Sequence, residues 1–464
     1  MMPLIGSGLG AALLGAAVAI ASSGTAFVVG IRRAVLAVFL VRSLCDPFFG
    51  LTKSEFGTAM GVGSAMNALV ISFALLFFLQ SPASIGSAIL PWAGFLMSAF
   101  ASAIVSPEPM NASRYFLWFV SYAAVFALPF GIIRSGKWAL RCLMVVLYSS
   151  LIPVAYAFVE FAWNALTGVQ LGVQSTFAHP NIFGFYLVTL LSLVLFMLSS
   201  SLVSAPVRLK RWLILYLAII IFVLLLTRGR SPWIAAAIIL TVYASTIDKR
   251  YLLCLVLIPF AIYYVPGVEE RLLDLQSGNY DYGYAKLNSY AWRKVLWTDT
   301  LDWMIAQPLP LFGYGLASFE YYAPLFFPRA GGMEVGLHNI YLQMFFEMGI
   351  FGLLAFIWLF VVLFMKLKKG YSSDKAGSII MMTLALSFLI VSFSDNMLGT
   401  LVIEWYFWFL MGVFCAWNRL SVQRPSKGAF YGWTEKSRVR LVSAQQQGRM
   451  QYKLVVRVNQ FERI

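Results

Sequence analysis

The chain has 464 residues, of which 61% are hydrophobic and 11% charged, with a net charge of +15 and a mean hydropathy of +0.80. A soluble domain carries roughly 25% charged residues, so this composition cannot coat a water-facing surface and excludes a soluble globular protein. The positive excess does not point to nucleic acid: residues from Arg419 onward hold ten Lys/Arg against Glu435 and Glu462, giving +8 of the +15, and the remainder sits mostly in short connections. That distribution is a signature of membrane topology.

In chain order, apolar runs predict membrane spans near 8–30, 34–51, 59–79, 84–105, 114–134, 138–162, 179–203, 211–227, 232–247, 251–266, 339–365, 376–397 and 401–418. Each full-length run reaches about 18 residues, enough to cross a hydrocarbon core. Some are short or closely spaced, so the expected fold is an all-α polytopic membrane protein with 12–14 spans. The first run lacks a charged leader and reads as a retained helix rather than a cleaved signal. Cys45, Cys142, Cys254 and Cys415 sit singly in or beside apolar runs and read as packing residues.

The connections separate by charge. One set is basic: Arg32-Arg33; Arg134, Lys137 and Arg141; Arg208, Lys210 and Arg211; Lys249-Arg250; Lys366 to Lys375; and the tail. The alternate set, 52–58, 106–113, 163–178, 228–231, 267–338 and 398–400, carries little positive excess. The positive-inside rule assigns the basic set to the cytoplasm and the other to the outside. This gives four regions: N-terminal spans over 1–266, a long outer loop over 267–338, C-terminal spans over 339–418 and a basic tail over 419–464. The tail is expected to be poorly ordered or to lie on anionic lipid. A loop of that length in a compact membrane protein is usually functional. Its stretch Ala291–Ala306 predicts an amphipathic helix with Trp292, Leu296 and Trp303 as interfacial anchors.

Polar residues gather at the outer ends. The two histidines are His179, in Ser175-Thr-Phe-Ala-His-Pro-Asn181, and His338, in His338-Asn-Ile-Tyr-Leu-Gln343. Arg228 and Arg230 share the turn Thr227-Arg-Gly-Arg-Ser-Pro-Trp233, and Arg293 lies on the loop helix. A single Arg at a span end is usually a snorkelling anchor. A pair in an outer turn runs against the insertion rule and needs another reason. A histidine at a helix start is more often a cap, and Asp395 reads as a helix-end polar residue. Together, however, these residues resemble a site for a phosphorylated lipid. Guanidiniums bind phosphate by paired, charge-assisted hydrogen bonds, and a near-neutral histidine can take a proton from an attacking hydroxyl. Gln343 and Glu347, four apart, are placed to support the helix after His338, and Gly349 and Gly352 read as sites of close helix packing. No metal-ligand spacing appears.

Three segments resemble the O-antigen ligase and polymerase family of bacterial envelope glycosyltransferases. They are Phe177-Ala-His-Pro-Asn-Ile-Phe-Gly184; the turn Thr227 to Trp233; and the run comprising Arg293-Lys-Val-Leu-Trp297, Pro308 to Phe319 and His338-Asn-Ile-Tyr-Leu-Gln-Met-Phe-Phe-Glu-Met-Gly349. The departure is Gly229 where the family often has Ser, with Arg228 as an extra arginine.

The resemblance implies a GT-C-like, multi-pass protein of the bacterial inner membrane with its active site facing the periplasm. Its implied donor is a polyprenyl-diphosphate-linked glycan, and its acceptor a lipid A core or a growing polysaccharide, with membrane lipids as the remaining partners. It implies that His338 is catalytic and that Arg230 and Arg293, joined by Arg228, bind the diphosphate. His179, Asn181 and Asn339 are possible supports. The implied reaction is inverting and needs no metal and no cofactor. A protein O-oligosaccharyltransferase of the same family, or a lipid-linked glycan flippase, are the alternatives. A transporter predicts charges lining span interiors and repeat symmetry; few mid-span charges appear, Glu160 and Glu404 lying near ends.

Overall fold

The computed structural model describes residues 30–45, 62–169, 171–252, 289–308, 311–327, 335–423, 440–446 and 449–455. Helices account for all of its membrane part: α1 (Ile31–Arg42), α2 (Val62–Gln80), α3 (Pro82–Ile89), α4 (Ala93–Ile104), α5 (Pro109–Ile132), α6 (Gly136–Ser149), α7 (Leu151–Thr167), α8 (Pro180–Ser199), α9 (Val207–Leu226) and α10 (Arg230–Thr246). Then follow α11 (Ser289–Ala306), α12 (Phe319–Phe326), α13 (Ile340–Lys369), α14 (Lys375–Val391) and α15 (Leu401–Gln423). Helices are the one open-ended structure whose backbone is satisfied within a single segment, as a bilayer requires. Their starts are marked locally. Pro82, Pro109 and Pro180 occupy the first helical turn, where the missing N–H costs nothing. His179, Asn339 and Asp374 cap α8, α13 and α14 with their side chains.

Among the described residues, seven helical stretches are long and apolar enough to cross a membrane: Pro82–Ile104, Pro109–Ile132, Gly136–Thr167, Pro180–Ser199, Val207–Leu226, Ile340–Lys369 and Leu401–Ser421. Ala65–Gln80 and Lys375–Val391 are shorter apolar helices. The protein is a multi-pass membrane protein. The expected span at 8–30 and nearly all of the one at 251–266 lie outside the described residues. Of the expected span at 34–51, residues 34–45 are described and carry most of α1, which has 12 residues; the remainder lies outside the described residues. Arg42 at the end of α1 is buried, its guanidinium 5.4 Å from the Trp405 ring centroid.

The middle of the bundle is α8 and α15, whose apolar windows are 83% and 94% buried, against 28% for α3–α4 and 39% for α9 and α13. The less buried helices turn apolar side chains outward, including Ile214 and Leu215 of α9 and Leu354 and Trp358 of α13, which suits contact with lipid. At the basic end of the bundle, Asp374 accepts from Gly377 N–H, Ser201 N–H and the Ser200 hydroxyl. One buried carboxylate thus ties the α8–α9 connection to the start of α14.

At the opposite end, the described part of the 267–338 loop forms a small core of its own. Leu296, Met304, Phe319, Phe327 and Leu337 pack with Phe346 of α13. Trp303 is ringed by Tyr314, Tyr322, Phe326 and Phe346 at centroid distances of 5.0–5.7 Å. Of Trp292, Leu296 and Trp303, expected as interfacial anchors, Leu296 is buried in this core and the two tryptophans pack half-buried against it.

The docking point is a break in α13. Gly349 adopts φ 66°, ψ −167° inside the helix, a region open essentially to glycine alone. A Cβ there would collide with the Leu311 carbonyl. The carbonyls just before the break accept from the loop: Phe346 O from Tyr314 N–H at 2.9 Å, and Glu347 O from Gly315 N–H at 3.1 Å. The Glu347 carboxylate accepts from Ala317 N–H (3.0 Å) and from Gln343 Nε2 (3.1 Å). The Gln343–Glu347 pair is thus formed as the spacing suggested. The role of Gly349 is different: it breaks a helix instead of packing one.

In the tail, Arg440–Gln446 (β1) and Arg449–Val455 (β2) pair antiparallel, Arg440 opposite Val455. Met450, Tyr452 and Leu454 alternate with polar residues, the period of a strand.

Candidate functional site

The turn between α9 and α10 is built by its least conspicuous members. The Thr227 hydroxyl donates to Leu224 O (2.7 Å) and accepts from Gly229 N–H (3.3 Å), while the Trp233 indole N–H donates to the same Leu224 carbonyl (2.8 Å). Both ends of the motif are therefore pinned to the last turn of α9. Arg228 between them is held at φ 52°, in the left-handed region that non-glycine residues seldom occupy. At Gly229 a Cβ would lie 2.7 Å from Asn181 Oδ1. The Asn181 amide occupies that space, which accounts for glycine here.

Opposite this turn, residues 171–179 run back along α7. Glu160 of α7 accepts from Gln174 N–H (3.2 Å) and Ser175 N–H (2.6 Å), and the Ser175 hydroxyl donates to Pro153 O (2.6 Å). Val173 N–H donates to Leu226 O (3.0 Å). The segment delivers His179 to the start of α8, where its Nδ1 accepts from Asn181 N–H at 3.0 Å.

These pieces enclose a cavity of about 460 Å³ lined by Arg228, Arg230, Arg293, His179, Asn181 and Glu160, with Asn164, Gln174 and Ser231 among its other polar members. The N-terminal turns of both α8 (Pro180, Asn181) and α10 (Arg230, Ser231) contribute to its wall. Helix N-termini carry partial positive charge and favour anions. Three guanidiniums and two helix N-termini against one carboxylate make the cavity strongly cationic.

Arg293 arrives on α11, with Nη2 4.0 Å from Asp395 Oδ1. Burial pushes its guanidinium down from the ordinary arginine value, with Asp395 opposing and the Arg230 charge adding to the shift. His338 stands at φ 51° in a tightly held stretch. The Trp297 indole donates to Leu337 O (2.8 Å), Ile340 N–H donates to Ser392 O (2.9 Å), and the Trp292 ring lies 6.3 Å from the imidazole, edge-on. Burial lowers the His338 pKa from its ordinary value, Arg293 lowers it further, and Asp395 opposes. The shift favours the neutral imidazole, the form able to accept a proton.

The sequence candidates therefore divide. Arg228, Arg230, Arg293, His179 and Asn181 line one cavity. His338 is not in its lining; it is coupled to it through Arg293 and Asp395. Asn339 faces elsewhere: buried, it accepts from Leu342 N–H (3.1 Å) as the cap of α13, so its support is to the helix that follows His338. Glu160 and Asn164 were not recognised as lining residues. Their signal was available, as two polar residues four apart on one face of an otherwise apolar run.

The fold and site define a multi-pass α-helical membrane protein with a cationic cavity at one end of its bundle. A family model described as O-antigen ligase matches residues 215–357, from mid-α9 through the loop and into α13, and the resemblance read from the motifs agrees with it over this stretch. The match takes in Arg228, Arg230, Arg293 and His338, while His179, Asn181, Glu160 and Asp395 lie outside it. No curated protein matches the chain.

Proposed function

We propose that the protein transfers a glycan from a polyprenyl-diphosphate carrier to an acceptor sugar hydroxyl, on the periplasmic face of a bacterial inner membrane. The observation that carries this reading is the convergence of Arg228, Arg230 and Arg293 with two helix N-termini in one cavity, beside a histidine whose pKa burial pushes down. Such a cavity suits a diphosphate, which offers several anionic oxygens to paired guanidinium donors. The positive-inside pattern of the connections supports an outward-facing site.

In the reaction, His338 takes the proton of the acceptor hydroxyl as its oxygen attacks the anomeric carbon of the donor. The bond from that carbon to the diphosphate oxygen breaks, and its electron pair leaves with polyprenyl diphosphate. Arg230 and Arg293, with Arg228, neutralise the charge growing on that leaving group. Direct displacement inverts the anomeric centre, and the donor brings its own activation. The Asp395 carboxylate stabilises the imidazolium that forms.

Reconstitution with a polyprenyl-diphosphate-linked glycan, followed by product sizing, tests the proposal. Longer carrier-linked chains identify a polymerase, and one shifted lipid A species identifies a ligase. His338→Ala is expected to abolish transfer while leaving the folded protein in the membrane. Normal glycan assembly by that variant would remove His338 from the chemistry, and movement of donor across the bilayer without transfer would mark a flippase.

A further inference from the structure

The cap of α8 is an unusual one. Helix N-caps are mostly Ser, Thr, Asp or Asn, whose oxygen accepts an N–H of the first turn. Here the acceptor is His179 Nδ1, which receives Asn181 N–H at 3.0 Å. An Nδ1 that accepts carries no proton, so the ring is neutral with its hydrogen on Nε2. Nε2 lies on the ring edge away from the capping Nδ1, and His179 lines the cationic cavity alongside Asn181, Arg228 and Arg230. Capping thereby fixes a donor at the cavity wall.

The choice of residue bears on what the cavity holds. Asp would cap α8 at least as well, but would add a carboxylate to a cavity of three guanidiniums and repel an anion there. Asn or Ser would cap without charge, yet would spend their acceptor on the helix and reach less far. Histidine caps α8, adds no negative charge and contributes a hydrogen-bond donor.

We propose that His179 is an anion-binding residue of this cavity, its Nε2–H donating to a phosphoryl oxygen of the lipid-linked diphosphate; this rests on the proposed function above. Its part is to hold the ligand, whereas His338 acts on the acceptor.

The full-length protein in phosphatidylcholine nanodiscs, titrated with polyprenyl diphosphate, provides the test. His179→Asn keeps a good cap and loses the Nε2 donor, so its melting temperature should match wild type. Its affinity for polyprenyl diphosphate should fall about tenfold, and donor KM should rise with little change in kcat, as expected for a lost hydrogen bond to a charged group. His179→Asp also keeps the cap and should bind more than a hundredfold more weakly. Arg230→Ala calibrates the site. If both His179 variants bind like wild type while Arg230→Ala binds poorly, His179 is a cap alone and the inference fails, the cavity reading standing. If Arg230→Ala also binds like wild type, the cavity is not the diphosphate site and both readings fall.

Discussion

Asp395 is where the two halves of the proposed chemistry meet, and Asp395→Asn is the most informative change to make. Its Oδ1 lies 4.0 Å from Arg293 Nη2, the side chains being 12% and 20% exposed. Two unit charges at that distance attract by about 4 kcal/mol at an effective dielectric of ~20, and by about 1 kcal/mol in bulk water. Desolvation offsets part of the larger figure, leaving about 1–3 kcal/mol for the positioning of Arg293. Without the carboxylate, Arg293 faces an amide and the neighbouring Arg230 charge. If that energy is expressed in donor binding, KM for the lipid-linked donor rises about 5- to 150-fold. The same carboxylate holds the His338 pKa up against burial and against Arg293. Its loss therefore moves the acid limb of the kcat/KM profile to lower pH, and kcat falls because the imidazolium formed during transfer loses its counter-charge. Initial rates across pH with purified donor, in nanodiscs, measure both effects in one series. A variant with raised KM but an unmoved acid limb would refute the coupling of Asp395 to His338. One with neither change would refute the pairing with Arg293 as well.

The wild-type profile carries its own prediction. The His338 pKa is lowered by burial first, then by Arg293, so the neutral, proton-accepting form persists as pH falls through 6.5 and is lost only below it. An acid limb of kcat/KM for the donor at or above pH 6.5 would mean that another group titrates. Gly349→Ala probes the loop's anchorage: φ 66°, ψ −167° and the obstructing Leu311 carbonyl together should cost at least ~3 kcal/mol. Lower melting temperature and faster proteolysis of the 289–327 region are expected, with transfer lost although Gly349 is not among the residues that line the cavity. Wild-type stability in that variant would show that the break is dispensable.

The helices were legible because the bilayer imposes them: an apolar run of sufficient length has few other structures open to it. Arg230 and Arg293 were legible because charge on the less basic side of the chain contradicts the insertion rule and so calls for a reason. The limits have equally definite causes. Apolar residues facing lipid and apolar residues facing protein look alike in sequence, so the packing of Trp292 and Trp303 against the loop's core was not foreseen. Gly349 read as packing because glycine spacing along a helix does not reveal a positive φ. Arg293 and Asp395 are 102 positions apart, and Glu160 meets the 171–179 segment only because that segment folds back.

The exclusion of His338 from the cavity lining bears on the order of events in the proposed transfer. Arg293 lines the cavity and also pairs with Asp395, which with Arg293 sets the proton affinity of His338. A diphosphate entering the cavity would bring negative charge to Arg293 and screen its effect on His338. Since Arg293 lowers the His338 pKa, that screening raises it, making the imidazole a stronger base once donor is bound. The acceptor would then approach from the loop side, between α11 and the start of α13, without crossing the diphosphate cavity. Donor binding would thus prepare the base for the acceptor while the two ligands keep separate entrances. The pH profile of kcat, which reports the donor-loaded enzyme, should accordingly show its acid limb at higher pH than that of kcat/KM for the donor. Coincident limbs would show that the cavity and His338 do not communicate.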